Sequence, residues 1–253
     1  MYFYIEKEDI LHRLHPATKS IALLIFFLST LMVSHPLYSL IPLGIALSVL
    51  IYGGGWGNCK RIVPILLILF GVSIYIWTFL YVDPRADYTW LHILGFAFPR
   101  ESVFFGVGMG IRISAMLIGG LAFLTVTRVE DFTAGLHRMG LPFGVCFGLS
   151  LSFRLLPLFV GTALTISEAQ RSRGLELEKG GIIERARKYA PLLVPVFLWS
   201  IRSADNLALA LESKGFGRKN PRSYLREYHF GFLDVIFLTL SVALLIGLKF
   251  FAK

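Results

Sequence analysis

Two stretches of the sequence place a cation directly before a glycine, at the end of a segment that is typical of a helix. Arg173 precedes Gly174, and Lys214 precedes Gly215. A glycine at this point commonly ends a helix, because it adopts the left-handed conformation without strain. An exposed cation there offers ionic binding to an acidic protein surface. The competing interpretation is local, since a cation in the last helical turn is stabilised by the helix macrodipole by ~0.3–1 kcal/mol.

The residues around the two glycines define the candidate binding site. Two similar ends in one region favour a shared binding role over two unrelated caps. The elements that position them are predicted helices over Thr162–Arg173, which lacks proline, and Ala204–Lys214, which is rich in leucine and alanine. The candidate binding residues are Arg171, Ser172, Arg173, Gly174, Ser213, Lys214 and Gly215, with Glu168, Ala169, Ala210 and Glu212 as supporting positions.

The composition is typical of a membrane protein. The chain has 253 residues, of which 55% are hydrophobic and 16% are charged, whereas soluble domains contain ~25% charged residues. Apolar runs near the length needed to cross a bilayer recur along the chain. We therefore predict an all-α, polytopic membrane protein with about five transmembrane helices, and a cytoplasmic-side domain of amphipathic helices inserted before the last span.

The predicted organisation has three parts. Residues 1–126 form a transmembrane domain with spans near 18–33, 37–52, 62–82 and 103–126, residues 127–229 form the cytoplasmic domain, and residues 230–253 form the final span. The apolar stretch 90–98 is too short to span and is interpreted as interfacial or re-entrant. Thr127, with Glu130 three residues later, predicts a capping box for a short amphipathic helix over Phe132–Met139.

Two segments of the cytoplasmic part have an alternative interpretation. Phe143–Ile166 and Tyr189–Ile201 are apolar and could form two more spans. Arg154 and Pro157 interrupt the first segment, and the second is too short to cross a bilayer. We therefore expect long helices that run along the inner membrane surface and pack against protein.

The distribution of positive charge predicts the orientation of the chain. The formal net charge is +9, and 20 of the 25 Lys and Arg residues lie in residues 1–19, 53–61 and 127–229. Lys and Arg are enriched on the cytoplasmic side of membrane proteins. The N-terminus and the domain 127–229 are therefore predicted to be cytoplasmic.

Other kinds of chemistry find little support in the sequence. The candidate catalytic residues, which are His92, Glu130, Asp131, His137 and Glu168, form no His-Glu-x-x-His or Gly-x-Ser-x-Gly motif, and no phosphate-binding loop occurs. His12 and His15 lie close together in sequence, but two histidines are only weak evidence for a metal site. No metal site and no enzymatic activity are therefore predicted. A membrane enzyme and a stand-alone solute carrier remain the alternatives, and the carrier has Arg112 inside the fourth span as its one ionisable candidate.

Four motifs together resemble the transmembrane T component of energy-coupling factor (ECF) transporters, a branch of the ABC importers. They occur in order along nearly the whole chain. The motifs are His15-Pro16-Ala17-Thr18-Lys19, the segment from Arg128 that ends in Leu136-His137-Arg138-Met139-Gly140-Leu141-Pro142, the segment Ala169–Gly174, and the segment Ala204–Phe216. The paired triplets that end the last two segments are the specific part of the resemblance to this EcfT/CbiQ-like family.

The resemblance implies a role for each triplet. Ser172-Arg173-Gly174 and Ser213-Lys214-Gly215 match the two signature triplets of the family, whose arginines dock into grooves on a pair of cytosolic ABC ATPase subunits. Lys214 departs from the pattern, because the family usually has arginine there. Lysine keeps the charge but loses the planar fork that binds a carboxylate through two hydrogen bonds.

The resemblance also implies the partners and the location. ATP and Mg would be bound by the ATPase subunits, and no cofactor by this chain. A membrane-embedded S component would bind the substrate, which is a vitamin or a transition-metal ion. The chain would lie in the cytoplasmic membrane of a prokaryote, in contact with the lipid bilayer and with no nucleic acid.

Overall fold

The computed structural model describes residues 4, 5, 7, 9–33, 35–80, 91–93, 96–98, 100–175, 181–217 and 230–251. The last two residues of the predicted third span, parts of the predicted cytoplasmic domain and residues 252–253 lie outside these ranges. The described residues form helices and one pair of short antiparallel strands. In chain order these are α1 Ile10–Arg13, α2 Pro16–Met32, α3 Pro36–Tyr52, α4 Trp56–Leu80, β1 Leu91–Ile93, β2 Phe96–Phe98, α5 Arg100–Val126, α6 Val129–Arg138, α7 Phe143–Ser172, α8 Ile182–Ser213 and α9 Phe232–Phe251.

The first two long helices start with the same local chemistry. His15 and His35 are the N-cap residues of α2 and α3, and each is followed by a proline at the first helical position. The Nδ1 atom of each histidine accepts a hydrogen bond from the backbone N–H two residues later, at 3.2 Å in α2 and 3.4 Å in α3. A His-Pro pair therefore satisfies one N-terminal N–H group and removes another, since proline has none.

The described helices divide into two compact units. One consists of Met1–Cys146 with Tyr228–Lys253, and the other of Phe147–Glu227. The predicted boundary at residue 127 therefore differs from the division into units, because α6 packs against α2. Where the cytoplasmic part begins stays a prediction.

Helix α5 is central to the packing of the first unit. It packs against both α3 and α4, and Ile118 and Leu121 belong to its buried hydrophobic cluster with Leu50 of α3. Small residues allow the close approach, since a Cβ atom at Gly106 would lie 3.2 Å from the backbone of Ile74 in α4. This is the packing that glycines permit between helices in membranes.

Five described helices are long and apolar enough to cross a membrane. They are Trp56–Thr78, Ser102–Val126, Phe143–Ser172, Lys188–Ser213 and Phe232–Phe250. The number agrees with the prediction of about five, but the members differ: α2 and α3 are shorter apolar helices, and the segments of α7 and α8 were expected at the membrane surface. The chain is a polytopic helical membrane protein, as predicted.

Two local features add to or correct the sequence analysis. In the stretch 90–98, residues 91–93 and 96–98 form two antiparallel strands in which Leu91 pairs with Phe98 and Ile93 with Phe96, and the interfacial or re-entrant placement of this stretch stays a prediction. The capping box at Thr127 is absent, because α6 starts at Val129 with Arg128 as its N-cap. The Thr127 side chain is instead buried.

Candidate partner-binding helix ends

Helix α7 ends in a Schellman motif that includes the first triplet. Ser172 is its last helical residue, and Gly174 has a φ of +90°. The Gly174 N–H donates to the carbonyl of Arg171 at 2.9 Å, and the Leu175 N–H donates to the carbonyl of Gln170 at 3.0 Å. These two bonds satisfy carbonyl groups that the helix itself leaves unpaired.

Helix α8 ends in the same way at the second triplet. Ser213 is its last helical residue, Lys214 is the C-cap, and Gly215 has a φ of +76°. The Gly215 N–H donates to the carbonyl of Glu212 at 2.8 Å, and the Phe216 N–H donates to the carbonyl of Leu211 at 2.9 Å. The structure therefore places Arg173 and Lys214 at equivalent positions, each between the last helical residue and a left-handed glycine.

The predicted site residues at both ends are accessible to a partner. The exposed ones are Glu168, Ala169, Arg171, Ser172, Arg173, Gly174, Ala210, Glu212, Ser213 and Lys214, whereas Gly215 is half-buried. The two serine hydroxyls bond within their own helices, Ser172 to the Glu168 carbonyl at 3.1 Å and Ser213 to the Ala210 carbonyl at 2.9 Å. The serines therefore complete the helix ends, whereas the side chains of Arg173 and Lys214 beside them are exposed.

Alignment of the two ends by their caps reveals a difference in charge. Arg171 and Glu212 are equivalent, since each provides the carbonyl that accepts from the glycine N–H. Glu168 lies three residues before Arg171 and is therefore not equivalent to Glu212 in the two caps. The first end therefore carries two cations, Arg171 and Arg173, and the second pairs Lys214 with an acidic residue.

Two aromatic contacts fix the relative direction of α7 and α8. The Phe159 and Trp199 rings lie 5.2 Å apart, and the Phe147 and Phe216 rings lie 4.5 Å apart. From the first contact to the second, the residue number decreases along α7 and increases along α8, so the two helices are antiparallel. Arg173 and Lys214 therefore lie at opposite ends of the pair, each about 15 residues or ~22 Å from the Phe159–Trp199 contact.

A third helix end has the same glycine cap without a cation directly before the glycine. At the end of α6, Gly140 has a φ of +107°, and the Leu141 N–H donates to the Leu136 carbonyl at 3.2 Å. This is the same Schellman arrangement, but Met139 stands where the other two ends have a cation. The cation before the glycine therefore distinguishes the ends of α7 and α8.

Comparison with known proteins identifies the family. The family model described as CbiQ, cobalt transport protein, matches residues 7–225. The chain belongs to this family. It is 27% identical over 98% of its length to the energy-coupling factor transporter transmembrane protein EcfT of Acidaminococcus fermentans, covering 94% of that protein. The proteins of the same name in Brevibacillus brevis and Streptococcus thermophilus are 26% and 29% identical over 96% and 97% of this chain, and 94% of each relative is covered.

A buried polar junction in this CbiQ-family chain was not predicted from the sequence. Oδ1 of Asp234 accepts a hydrogen bond from the backbone N–H of His15 at 2.8 Å, and Oδ2 accepts one from the N–H of Gly231 at 2.9 Å. Asp234, in the first turn of α9, is only 3% exposed. The carboxylate therefore ties the start of α2 to the start of α9 and satisfies the N-terminus of α9.

Lys19 completes the junction from the other side. Its Nζ atom donates to the carbonyl of His12 at 3.0 Å and to that of Val126 at 3.3 Å. The lysine, at 7% exposure, thereby connects α2 to the end of α5. The signal in the sequence was the His-Pro-Ala-Thr-Lys motif, although its partners Val126 and Asp234 are too distant in sequence to be inferred from it.

The two histidines beside the junction are bonded to the backbone. The Nε2 atom of His12 lies 3.0 Å from the carbonyl oxygen of Ile5. Burial lowers the pKa of His15; the nearby Asp234 carboxylate opposes that effect, and Arg138 adds to it. Among the residues that the structure describes, no three His, Cys, Asp or Glu side chains lie together as a metal ion would require.

Proposed function

We propose that this chain is the transmembrane coupling (T) component of an ECF-type ABC importer. The observation that carries the proposal is the pair of exposed cations, Arg173 and Lys214, at the same cap position at opposite ends of two antiparallel helices. Two separate ends suit two separate partners of similar shape. The name shared by the three relatives supports the transporter assignment.

The partners at these ends are two cytosolic ATPase subunits. This chain contains no Walker A motif, so ATP and Mg are bound and ATP is hydrolysed by the subunits that it contacts. A cation that projects from a helix end into an acidic groove forms a joint that is strong at low salt and weakens as salt is added. Closure of the ATPase pair then moves the two helix ends.

The helices α7 and α8 also provide a surface for the substrate-binding S component. Their apolar side chains are widely exposed, for example Leu156 at 58%, Leu193 at 61% and Phe197 at 70%. Exposed apolar area of this extent is typical of contact with lipid or with another membrane protein. Motion of the helix ends is transmitted through this surface to the S component, which takes up a vitamin or a transition-metal ion.

The proposed orientation places the N-terminus and residues 127–229 in the cytoplasm. Both helix ends must face the same side of the membrane to reach one pair of ATPases. The excess of Lys and Arg in residues 127–229 supports this side. In this arrangement α7 and α8 lie along the inner surface rather than crossing the bilayer.

The difference in charge between the two ends predicts unequal ATPase contacts. The end of α7 presents the guanidinium of Arg173 to its partner, whereas the end of α8 presents the ammonium group of Lys214, with the acidic Glu212 two residues before it. A guanidinium also binds carboxylates more specifically than an ammonium group does. The α7 end therefore contributes more of the electrostatic binding energy.

Co-purification with the ATPase subunits of the source cell tests the proposal. We expect wild type to retain two ATPase subunits, and Arg173→Ala to weaken their binding about tenfold, which corresponds to ~1.4 kcal/mol. Lys214→Ala should weaken binding less. Arg154→Ala and Arg202→Ala remove exposed cations from the same two helices away from their ends and should have little effect. A wild-type chain that binds no ATPase, or that transports a solute alone, would contradict the proposal in favour of a stand-alone carrier.

A further inference from the structure

An aromatic pair lies directly beside the second helix end. The rings of Phe216 and Phe147 have centroids 4.5 Å apart and are tilted by 35°. Phe216 follows Gly215 and is two residues from Lys214, and Phe147 lies in the second turn of α7. Both residues of the pair belong to the second unit. The residue that closes the cap of α8 is therefore in contact with the neighbouring helix.

Phe216 is held by its backbone and by its ring. Its N–H donates to the Leu211 carbonyl at 2.9 Å, which closes the turn. The residue after the glycine of a Schellman motif commonly packs on its own helix; here its ring also contacts Phe147 of the antiparallel helix. Aromatic pairs at such distances contribute stability beyond the area that they bury. The turn that follows Ser213 is therefore fastened to α7 as well as to α8.

The end of α7 differs at the equivalent position. Leu175 donates there to the Gln170 carbonyl, so it corresponds to Phe216 but has no aromatic ring. Gly174 is exposed, whereas Gly215 is half-buried. The turn that carries the lysine is therefore the more enclosed of the two.

This difference matters because the two cations are not alike. The guanidinium of Arg173 has a planar shape that binds a carboxylate through two hydrogen bonds, whereas the ammonium group of Lys214 is a point charge on a flexible stem. Binding costs entropy for each flexible group that the partner must immobilise. A turn that is already fixed lowers this cost, and so offsets part of what lysine lacks relative to arginine.

We infer that Phe216, held by Phe147, is a positioning residue for Lys214. The stacked ring fixes the direction in which the turn presents the ammonium group to the acidic groove of an ATPase subunit. The inference rests on the proposed function, since it concerns the contact between Lys214 and that subunit. Loss of the ring should weaken ATPase binding although every charge at the helix end is kept.

Spin labelling of the full chain without its partners tests whether the ring fixes the turn. A nitroxide is attached at Glu212→Cys, an exposed position in the last turn of α8, after Cys59 and Cys146 are replaced by alanine. We expect Phe216→Ala to increase the mobility of the label severalfold in its electron paramagnetic resonance spectrum. Phe216→Tyr keeps an aromatic ring and should leave the mobility unchanged.

A second aromatic pair in the same two helices provides the matched control. Trp199→Leu removes the stack with Phe159, which has a centroid distance of 5.2 Å and lies about four turns along α8 from Lys214. This variant should leave the label mobility and the ATPase affinity unchanged, whatever its effect on the thermal midpoint. If it acted as Phe216→Ala does, any loss of packing would be sufficient and the positioning role would be refuted.

A double-mutant cycle on ATPase affinity measures whether Phe216 acts through Lys214. We expect Phe216→Ala to weaken binding about threefold in the wild-type background, and to have no further effect in the Lys214→Ala background. In the Arg173→Ala background it should again weaken binding about threefold, because that cation lies at the opposite end of the helix pair. The cycle with Arg173 thereby separates positioning of one end from a general loss of fold.

The outcomes distinguish this inference from the proposed function. An unchanged label mobility in Phe216→Ala, or the same fold-change in both backgrounds, would overturn the inference and leave the proposed function in place. A wild-type chain that binds no ATPase would overturn both.

Discussion

The carboxylate of Asp234 and the backbone N–H of His15 form a hydrogen bond of 2.8 Å between residues that are 219 positions apart in the sequence. The bond joins the first long helix to the last. Because Asp234 also accepts from Gly231, a single buried side chain holds both helix starts in place. Lys19, bonded to the end of α5, adds the third helix to this junction.

Asp234→Ala is therefore expected to destabilise the protein. The substitution leaves two N–H groups without their acceptor, and hydrogen bonds to a charged group contribute about 1.5–3 kcal/mol each. We expect the free energy of unfolding in detergent micelles, measured by denaturant titration, to fall by about 3 kcal/mol. Asp205→Ala, at an exposed position of α8, is the control and should change it by less than ~0.5 kcal/mol. Equal losses for both variants would remove the structural role assigned to Asp234.

Stability should also decrease in mild acid because of His15. Burial lowers the pKa of His15 in the folded state, so below pH ~6.5 the unfolded chain binds a proton that the folded protein resists. Protonation of Nδ1 would also remove the acceptor for the Ala17 N–H. The free energy of unfolding should therefore be highest above pH ~6.5 and fall as the pH drops through that value.

Comparison with His15→Asn isolates this contribution. Asparagine keeps an N-cap acceptor and does not titrate in this range. The variant should show a smaller loss of stability between pH 7.5 and 5.5, although His12, whose pKa is also lowered by burial, keeps part of it. An unchanged pH dependence in His15→Asn would show that His15 does not contribute.

Gly135 should tolerate no side chain. A Cβ atom at this position of α6 would lie 2.9 Å from the backbone carbon of Pro16 and 3.0 Å from the nitrogen of Ala17. Backbone atoms of α2 cannot move aside as a flexible side chain does, so Gly135→Ala should destabilise the protein by about 1–3 kcal/mol. The thermal midpoint in micelles measures the effect.

A matched glycine in α7 gives the opposite expectation. Gly148 lies inside the helix with nothing within 4 Å of its Cβ position. Gly148→Ala should be neutral or stabilising by up to ~1 kcal/mol, because alanine is the better helix former. If Gly135→Ala behaved in the same way, close packing of α6 on α2 would not hold.

The membrane placement of α7 and α8 can be decided by cysteine labelling. If both helices crossed the bilayer, their antiparallel arrangement would put Arg173 and Lys214 on opposite sides. Along the inner surface, both residues face the cytoplasm. In a variant that lacks Cys59 and Cys146, we expect a membrane-impermeant maleimide to label Arg173→Cys and Lys214→Cys in inside-out vesicles and neither in intact cells.

A cysteine on the predicted outer side controls for reagent access. His35 is exposed in the connection between α2 and α3, which the predicted orientation places outside. His35→Cys should be labelled in intact cells. Labelling of Arg173→Cys in intact cells, together with protection of Lys214→Cys, would establish two additional spans and refute the surface arrangement.

Local backbone chemistry made the helix ends predictable from the sequence. Gly174 and Gly215 were expected to stop their helices, and both adopt the left-handed conformation. The equivalence of Arg171 and Glu212, which each lie three residues before the glycine, became apparent only when the two caps were aligned. The binding role of these residues stays a prediction.

Contacts between distant segments were beyond local patterns. No spacing rule connects His15 to Asp234 or Lys19 to Val126. Helix α4 also begins at Trp56, six residues before the predicted span, because a helix continues through Lys60 and Arg61 although a membrane core does not favour them. The pattern of apolar residues thus did not predict the full length of this helix.

The separation of cap and cation has an evolutionary consequence. In each of the two ends the glycine and the backbone hydrogen bonds hold the turn, while the residue before the glycine is exposed. Its identity can change from arginine to lysine, as at Lys214, without loss of the turn. Under the proposed function, a substitution at this one position changes the contact with the partner while its neighbours keep the turn.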